Sequence, residues 1–380
     1  MSLSAQDHVR LLRAIELAEG AIGLSEPNPR VGCVLYDAAG QWVAEGFTQQ
    51  AGGAHAEVMA LRHAAAGGRS LTGGTAWVSL EPCAHHGRTP PCADALIAAG
   101  LARVVVAVGD PFTQVAGRGM ARLRAAGLTV DLAEPGATSR AAHEINIGFF
   151  SRVLRQRPWV RLKVAASLDG RTALPDGSSQ WITGEAARTD GHRWRRRAGA
   201  LLTGIGTVRA DDPRLDVRLV PTTHQPLRVV VDSTFSTPPS ARILAAPGRT
   251  LVVGAFDHLP QMARLRQAGA ELLVLPNASG PAPQQVDLSA LIDRLAAQGV
   301  NELHVEAGAT LNAALLQTGL VDELLVYLAP KLLGPGRDIA ALPVLPALSH
   351  AVGLRFEAVY PVGDDLCLRA RRIGADAFLD

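Results

Sequence analysis

The stretch Thr75-Ala76-Trp77-Val78-Ser79-Leu80-Glu81-Pro82-Cys83 leads from a predicted strand into a cysteine. After eight intervening residues, Cys92 follows Pro90-Pro91 at the start of a predicted helix. A third segment, His55-Ala56-Glu57, opens another predicted helix. The carboxyl ends of strands and the starts of helices meet at one edge of an α/β sheet. We therefore expect His55, Cys83 and Cys92 to converge at that edge.

Predicted strands and helices alternate on both sides of this stretch, which indicates an α/β fold. Ser4 and Asp7 resemble a helix-capping pair before the first apolar repeat. The other predicted elements of this half are strands at 31–36, 42–47, 75–80 and 103–108 and helices at 55–66, 92–99, 119–126 and 137–154.

The length of 380 residues exceeds that of one ordinary domain. A basic stretch that ends at Pro158 marks the predicted boundary, so we expect domains at 1–150 and 151–380. The second half alternates in the same way. Its predicted elements are strands at 159–167, 200–203, 227–231, 250–253, 272–275, 302–306, 324–329, 354–360 and 365–370 and helices at 185–197 and 288–297.

Composition excludes several classes of protein. Lys and Arg total 37 against 35 for Asp and Glu, so bulk charge gives no reason to expect a nucleic-acid or membrane partner. Four cysteines are too few for a disulfide scaffold. No apolar run approaches the roughly 20 residues of a membrane helix, and no targeting segment is visible. We expect a cytoplasmic protein, and the sequence leaves a homo-oligomer open.

One histidine and two cysteines suit a catalytic zinc site, which uses three protein ligands and keeps one position for water. His-x-Glu, Pro-Cys and a second Cys form the zinc deaminase signature, in which the Glu moves protons. The eight residues between Cys83 and Cys92 replace the usual two. A structural zinc closed by His85 or His86 is the alternative. We expect Cys33 and Cys367 to be strand residues.

Segments 28–33, 55–58 and 81–95 resemble the deaminase half of the bifunctional riboflavin-biosynthesis deaminase/reductases. The resemblance implies a cytidine-deaminase-like, three-layer α/β/α domain. It also implies zinc on His55, Cys83 and Cys92, with Glu57 as the catalytic proton carrier. Further residues are implied to contact the pyrimidine (Asn28 and His85) and the ribose phosphate (Arg88). The sequence departs from the family at Thr48 and at Phe112-Thr113-Gln114.

The residues of the second half, taken alone, indicate its function less clearly than those of the first. Gly204-Ile205-Gly206-Thr207 follows a predicted strand and suggests a phosphate cradle, but it lacks the third glycine of the Rossmann pattern. The basic run at 192–197 predicts mainly a solvated helix face, with Arg195 as the exception.

Segments 163–173, 179–184, 204–213 and 215–218 resemble the reductase half of the same family, which has a dihydrofolate-reductase-like α/β fold. The resemblance implies NADPH as the second cofactor. The residues implied to border the cofactor are Ala165, Trp181, Thr207, Asp211 and Glu306. Those implied to border the substrate are Lys163, Ser179, Arg195, Leu215, Arg218 and Glu306. Ala307 departs from the family's usual glycine.

The leading hypothesis is thus a bifunctional enzyme that acts on a small phosphorylated pyrimidine. Zinc-dependent hydrolysis removes an amine from a diaminohydroxyphosphoribosylaminopyrimidine. NADPH-dependent reduction then converts the ribosyl chain of the product to a ribityl chain. Two alternatives stay open. One is a zinc deaminase that acts on another base, such as one in transfer RNA. The other is a zinc-stabilised binding protein without activity.

Overall fold

The structure is a computed structural model that describes residues 3–84, 91–112, 115–277 and 284–379. The chain forms two compact units, residues 1–155 (unit 1) and residues 156–380 (unit 2). Each is an α/β unit, as the sequence predicts. Within the described residues, no helix combines the length and the apolar composition needed to cross a membrane.

Unit 1 is built on a five-stranded sheet in the order β2-β1-β3-β4-β5. Strand β1 is antiparallel to both of its neighbours, and β3, β4 and β5 are parallel. The strands are β1 (Gly32–Tyr36), β2 (Trp42–Phe47), β3 (Thr75–Val78), β4 (Arg103–Val106) and β5 (Thr129–Leu132). The helices are α1 (Ala5–Ala18), α2 (Ala56–Ala66), α3 (Cys92–Ala98), α4 (Arg118–Ala125), α5 (Ala137–Ile145) and α6 (Ile147–Arg155).

Two glycines allow helices to pack closely on opposite faces of this sheet. A Cβ on Gly32 would lie 1.9 Å from the carbonyl oxygen of Ala14 in α1. A Cβ on Gly46 would lie 2.5 Å from the amide nitrogen of Ala60 in α2. Gly46 pairs with Cys33, the residue after Gly32, so the two glycines face opposite sides. Unit 1 therefore has three layers, α/β/α.

Unit 2 contains a nine-stranded sheet in the order β11-β10-β9-β8-β12-β6-β13-β16-β15, and a separate pair, β7 and β14. The strands are β6 (Trp159–Ser167), β7 (Arg171–Ala173), β8 (Ala200–Gly204), β9 (Leu227–Val231), β10 (Thr250–Gly254), β11 (Glu271–Val274), β12 (Glu302–Val305), β13 (Glu323–Ala329), β14 (Arg337–Asp338), β15 (Leu354–Val362) and β16 (Asp365–Arg372). The helices are α7 (Glu185–Arg197), α8 (Ile205–Asp211), α9 (Arg242–Ala245), α10 (Leu259–Gln267), α11 (Leu288–Ala297) and α12 (Ala309–Gln317).

The parallel part of this sheet is buried on both faces. Leu202, Val229 and Val253 pack in one apolar cluster with residues of α11 and α12. Their neighbours along the strands, such as Leu201 and Val230, pack in a second cluster with residues of α9 and α10. This alternation explains the continuous apolar runs of these strands.

The predicted helix at 137–154 is wrong as a single helix, because it breaks at Asn146 between α5 and α6. The Asn146 side chain accepts the N–H of Arg30 at 2.7 Å and donates to the carbonyl of Arg30 at 2.7 Å. This pairing across 116 positions is not visible in a local pattern. The prediction also missed the strands β5, β7 and β14 and the helices α8, α9, α10 and α12.

Asp7 ties the start of α1 to the sheet of unit 1. Its carboxylate accepts from the backbone N–H of Ser4 at 3.0 Å, from Trp77 Nε1 at 2.9 Å and from Arg103 Nη1 at 2.8 Å. Ser4 Oγ accepts from the backbone of Asp7, which completes the predicted capping box. Burial alone would raise the pKa of Asp7, but the bonds from Arg103, Ser4 and Trp77 outweigh it and hold the pKa well below its usual range.

We expect Asp7→Asn to lower the free energy of unfolding by about 2 kcal/mol at neutral pH, because it removes charge-assisted bonds. A depressed folded-state pKa stabilises the protein above the unfolded pKa and loses that contribution as the pH falls. The difference between wild type and variant should therefore shrink below about pH 4. Calorimetric unfolding of the full chain across pH measures it. Asp131→Asn removes only the second, more exposed partner of Arg103 and is the matched control; a difference that grows on acidification would contradict the role of Asp7.

Candidate functional site

The three expected metal ligands of unit 1 converge. His55 is the N-cap of α2, Cys83 follows the β3 strand end, and Cys92 is the first residue of α3. Their ligand atoms all lie within 4.8 Å of one another, with His55 Nδ1 3.7 Å from Cys83 Sγ and 3.3 Å from Cys92 Sγ. Tetrahedral zinc with such ligands spaces the donor atoms by about 3.6 Å. The nitrogen and sulfur donors therefore fit zinc in both type and spacing.

Hydrogen bonds prepare Cys83 as a thiolate. The Cys92 thiol and the Cys92 backbone N–H, which lies 3.3 Å from Cys83 Sγ, stabilise the negative sulfur and lower the pKa of Cys83 to about 4. The pKa of Cys92 is raised, because its proton is shared with that thiolate. The hydrogen bond with Cys83 also raises the pKa of His55. Thiolate is the form of cysteine that binds metal.

Glu57 lies in the first turn of α2, beside His55 and only 3% exposed. Burial and then the negative charge of Cys83 raise the pKa of its carboxyl. A carboxyl group with a raised pKa holds and releases a proton more readily near neutral pH than an exposed one. From this position at the helix start, Glu57 faces the same site as His55.

A cavity of about 510 Å³ opens beside this group. His55, Glu57 and Cys83 line it, together with Asn28 and Thr48. Thr48 is one of the positions at which the sequence departs from the family. Its Oγ1 accepts the N–H of Val31 at 3.2 Å, so its side chain makes a structural contact. His85 and Arg88 lie outside the described residues, as do Thr113 and Gln114. Phe112 lines the cavity.

Two acidic residues of the cavity had no predicted role. Burial raises the pKa of Asp110 to about 7. Its carboxylate accepts the N–H of Phe112 at 2.8 Å, and this hydrogen bond acts in the opposite direction, lowering the pKa. Glu81 accepts backbone N–H groups from Asp110, Gly117 and Met120. Glu81 stands in the quoted Glu-Pro-Cys motif, but the motif alone does not show which backbone groups it holds.

In unit 2, Glu306 follows β12 and forms a bidentate pair with Arg195, at 2.5 and 2.8 Å. Lys163 Nζ lies 4.0 Å from the same carboxylate. Burial would raise the pKa of Glu306, but Arg195 and Lys163 hold it well below its usual range. Burial lowers the pKa of Lys163. The negative charge of Glu306 acts in the opposite direction, and the positive charge of Arg195 lowers the pKa further. These three expected site residues therefore form one charged cluster.

Arg218 joins this cluster through Asp216, the residue after Leu215. Arg218 Nη1 donates to Asp216 Oδ1 at 2.6 Å, and Arg195 Nη1 donates to the Asp216 carbonyl at 3.1 Å. Leu215 is buried and has a φ of +49°, a left-handed conformation uncommon for leucine. His192 accepts the N–H of Arg218 at 3.1 Å, and burial together with Arg195 lowers its pKa to about 4. His192 belongs to the basic run at 192–197 and Asp216 to the segment 215–218, but the sequence predicted no role for either residue.

The remaining predicted residues of unit 2 lie on separate elements. Ala165 is on β6, and Thr207 and Asp211 are on α8. Trp181 is 62% exposed, and its ring lies 4.6 Å from the Arg188 guanidinium. Among the described residues, no hydrogen bond or ion pair joins Ser179 or Trp181 to the Glu306 cluster.

Two backbone turns in this region suit a phosphorylated cofactor. Helix α8 begins directly after β8, and α12 begins after a short turn, 306–308, that follows the adjacent parallel strand β12. Gly204 and Gly308 are their N-caps, and a Cβ on Gly308 would lie 3.8 Å from Thr207 Oγ1. Neighbouring strand ends followed by helix starts form the crevice in which α/β sheets bind nucleotides. Ala307 packs against the apolar core beside it.

The expected solvated face at 192–197 is correct for Arg193, whose side chain is 69% exposed. It is wrong for Arg197, whose side chain is 12% exposed and donates to the buried Glu302 at 2.8 Å. Trp194 packs on the guanidinium of Arg161 at 4.3 Å. Part of this basic run therefore packs against the sheet. Its helical spacing alone did not indicate which residues would do so.

Two family profiles match the chain. That of the cytidine and deoxycytidylate deaminase zinc-binding region matches residues 4–108, and that of the RibD C-terminal domain matches residues 158–368. The riboflavin biosynthesis protein RibD of Escherichia coli (strain K12) is 45% identical over 96% of this chain and 98% of its own length. RibD of Aquifex aeolicus (strain VF5) is 37% identical over 94% of this chain and 96% of its own.

Solved structures agree over the same span. Form 1 of Acinetobacter baumannii RibD has a TM-score of 0.85 at 40% identity, covering 97% of this chain and 99% of its own. A deaminase/reductase from Thermotoga maritima has a TM-score of 0.84 at 29% identity, covering 96% of this chain and 98% of its own. With a zinc-binding deaminase region in one unit and a reductase domain in the other, the chain belongs to the RibD family of riboflavin biosynthesis proteins.

Proposed function

We propose that the chain catalyses two consecutive steps of riboflavin synthesis. Unit 1 deaminates a diaminohydroxyphosphoribosylaminopyrimidine, and unit 2 reduces the resulting 5-amino-6-(5-phosphoribosylamino)uracil, the compounds named for the Thermotoga maritima relative. The observation that carries the proposal is the convergence of His55, Cys83 and Cys92 within 4.8 Å of one another, at a cavity that His55, Cys83 and Glu57 line. Four cysteines without a disulfide among them are compatible with the cytoplasmic location that we include in this proposal.

In the deaminase, His55, Cys83 and Cys92 hold zinc, which when bound supplies the Lewis acidity that makes water nucleophilic near neutral pH. Glu57 accepts a proton as water adds to the amine-bearing ring carbon. The same carboxyl returns a proton to the leaving nitrogen, so that water is consumed and ammonia is released. Asn28, together with His85, orients the pyrimidine, and Arg88 contacts the phosphate.

In the reductase, NADPH when bound would supply the hydride that reduces the anomeric carbon of the opened ribosylimine, and a proton from solvent would complete the nitrogen. Ala165, Trp181, Thr207 and Asp211 border the cofactor. Ser179, Leu215 and Arg218 border the substrate. Glu306 faces both ligands and holds Arg195, while Lys163 lies at the reacting end. The residues position the two reactants rather than perform the redox step.

The two alternatives are less well supported. A deaminase for a transfer-RNA base does not explain why a reductase domain follows and why full-length relatives match both units. An inactive zinc-stabilised protein does not explain a buried Glu57 beside the metal ligands.

A coupled assay with the aminopyrimidine substrate and NADPH tests the whole proposal. Ammonia release and NADPH oxidation are followed separately, and metal content is measured on the same sample. We expect ammonia first and NADPH oxidation only after deamination. Zinc-loaded protein that releases no ammonia would overturn the deaminase assignment, and NADPH oxidation that does not depend on the deaminated product would overturn the order of steps.

Glu57→Gln should reduce ammonia release about 10³-fold, because the proton carrier is removed. The zinc content should stay unchanged, since the three ligands are retained. Reduction of the deaminated compound should also stay at the wild-type rate, which makes the second activity an internal control for folding. Substantial deamination by a zinc-loaded variant would show that another group moves the proton.

Arg218→Ala should raise the KM for the pyrimidine about 30-fold, the loss expected for one charge-assisted hydrogen bond to phosphate, and leave the KM for NADPH nearly unchanged. Arg214→Ala is the matched control, because Arg214 donates to the same Asp216 carboxylate and is comparably exposed. Steady-state kinetics with each reactant varied in turn separate the two constants. Equal increases for substrate and cofactor, or equal effects of the two variants, would remove the phosphate role of Arg218.

A further inference from the structure

The cavity of unit 1 is rich in carboxylates. Glu57, Glu81 and Asp110 line it, and all are buried or half-buried. Arg152 is the single arginine or lysine among the lining residues that the structure describes. A ligand with a phosphate dianion needs a cation near the acidic wall, because like charges in a partly desolvated cavity repel each other strongly.

Arg152 is held at the cavity by its own helix and by a neighbouring loop. It lies in α6, one turn after Phe149, which also lines the cavity. Its Nη2 donates to the carbonyl of Pro27 at 3.1 Å, and its guanidinium carbon lies 5.8 Å from the centre of the Phe149 ring. Pro27 precedes Asn28, the residue assigned to the pyrimidine. The guanidinium is therefore fixed at the Asn28 side of the cavity.

Partial burial makes this guanidinium receptive to an anion. Burial lowers the pKa of Arg152, with Glu26 acting in the opposite direction. An anion that approaches a partly desolvated cation gains more than one that approaches a fully hydrated cation. The planar fork of N–H donors also matches the oxygen spacing of a phosphate, so that one arginine can bind two phosphate oxygens.

We propose that Arg152 binds the phosphate of the deaminase substrate and makes unit 1 selective for the phosphorylated pyrimidine over its dephosphorylated counterpart. The inference rests on the proposed deaminase function and adds a determinant of specificity to it. A cavity of about 510 Å³ falls in the range that holds a small ligand of this kind. With the reacting ring beside Glu57, Arg152 is the arginine that the described part of the lining offers to the ribose phosphate.

The test compares ammonia release from the phosphorylated substrate and from the same compound after phosphatase treatment. Arg152→Gln should lower kcat/KM for the phosphorylated substrate about 30-fold, mainly through KM, and change the dephosphorylated reaction less than about twofold. Arg152→Lys keeps the charge but loses the fork and should fall between wild type and Arg152→Gln. Arg140→Gln, which removes an exposed arginine of α5 outside the cavity lining, should match wild type with both substrates.

Equal losses with both substrates, or no loss in Arg152→Gln, would overturn the assignment. Zinc content and reductase activity of each variant show whether the chain is folded, and Arg152→Lys keeps the comparison informative if Arg152→Gln is unstable. Wild type that releases no ammonia from the phosphorylated compound would instead overturn the proposed function. Active wild type with unaltered selectivity in the Arg152 variants would overturn only this inference.

Discussion

The buried carboxylate of Glu81 connects the metal ligands of unit 1 to the wall of the cavity. It accepts the backbone N–H groups of Asp110, Gly117 and Met120 at 3.3, 2.9 and 3.1 Å. Gly119 lies so close to the preceding strand end that a Cβ there would meet the carbonyl of Pro82 at 1.8 Å. Loss of the carboxylate would leave buried N–H groups without an acceptor, which is costly. The Glu81 side chain thus holds the cavity wall against the segment that leads to Cys83.

In unit 2, a buried network of ion pairs connects the strands that carry the site residues. Arg161 is fully buried and binds Glu302 at 2.8 Å and Glu323 at 2.6 Å, which joins the three adjacent strands β12, β6 and β13. The same face of β6 carries Lys163 two residues later, and the same face of β12 leads from Glu302 to Glu306. Because breaking one partner of a buried pair is strongly destabilising, the network fixes the strand register that aligns the site residues.

The two sites differ in how far they could be predicted from the sequence, and the difference has a physical origin. The ligands of unit 1 lie at local features, a helix start after a loop and a cysteine after a strand, so the residues and their spacing were sufficient to predict convergence. The Glu306 cluster collects side chains from β6, α7 and the loops after α8 and β12. No local pattern marks such a set, and only the family resemblance pointed to it. Asn146 ends α5 for the same kind of reason, since its partner Arg30 is remote in sequence.

The arginines of both sites are held by acceptors of the protein before any substrate binds. Arg195 is fixed by Glu306 and Arg218 by Asp216, while Arg152 is fixed by the carbonyl of Pro27. In unit 2, four cations (Lys163, Arg195, Arg214 and Arg218) face the carboxylates of Glu306 and Asp216, so positive groups outnumber negative ones while the side chains are already oriented. A long, flexible side chain loses rotamer entropy when it binds a ligand, and prior fixation removes most of that loss. The Pro27 carbonyl is a neutral acceptor, so this hydrogen bond orients the guanidinium of Arg152 without itself opposing its charge.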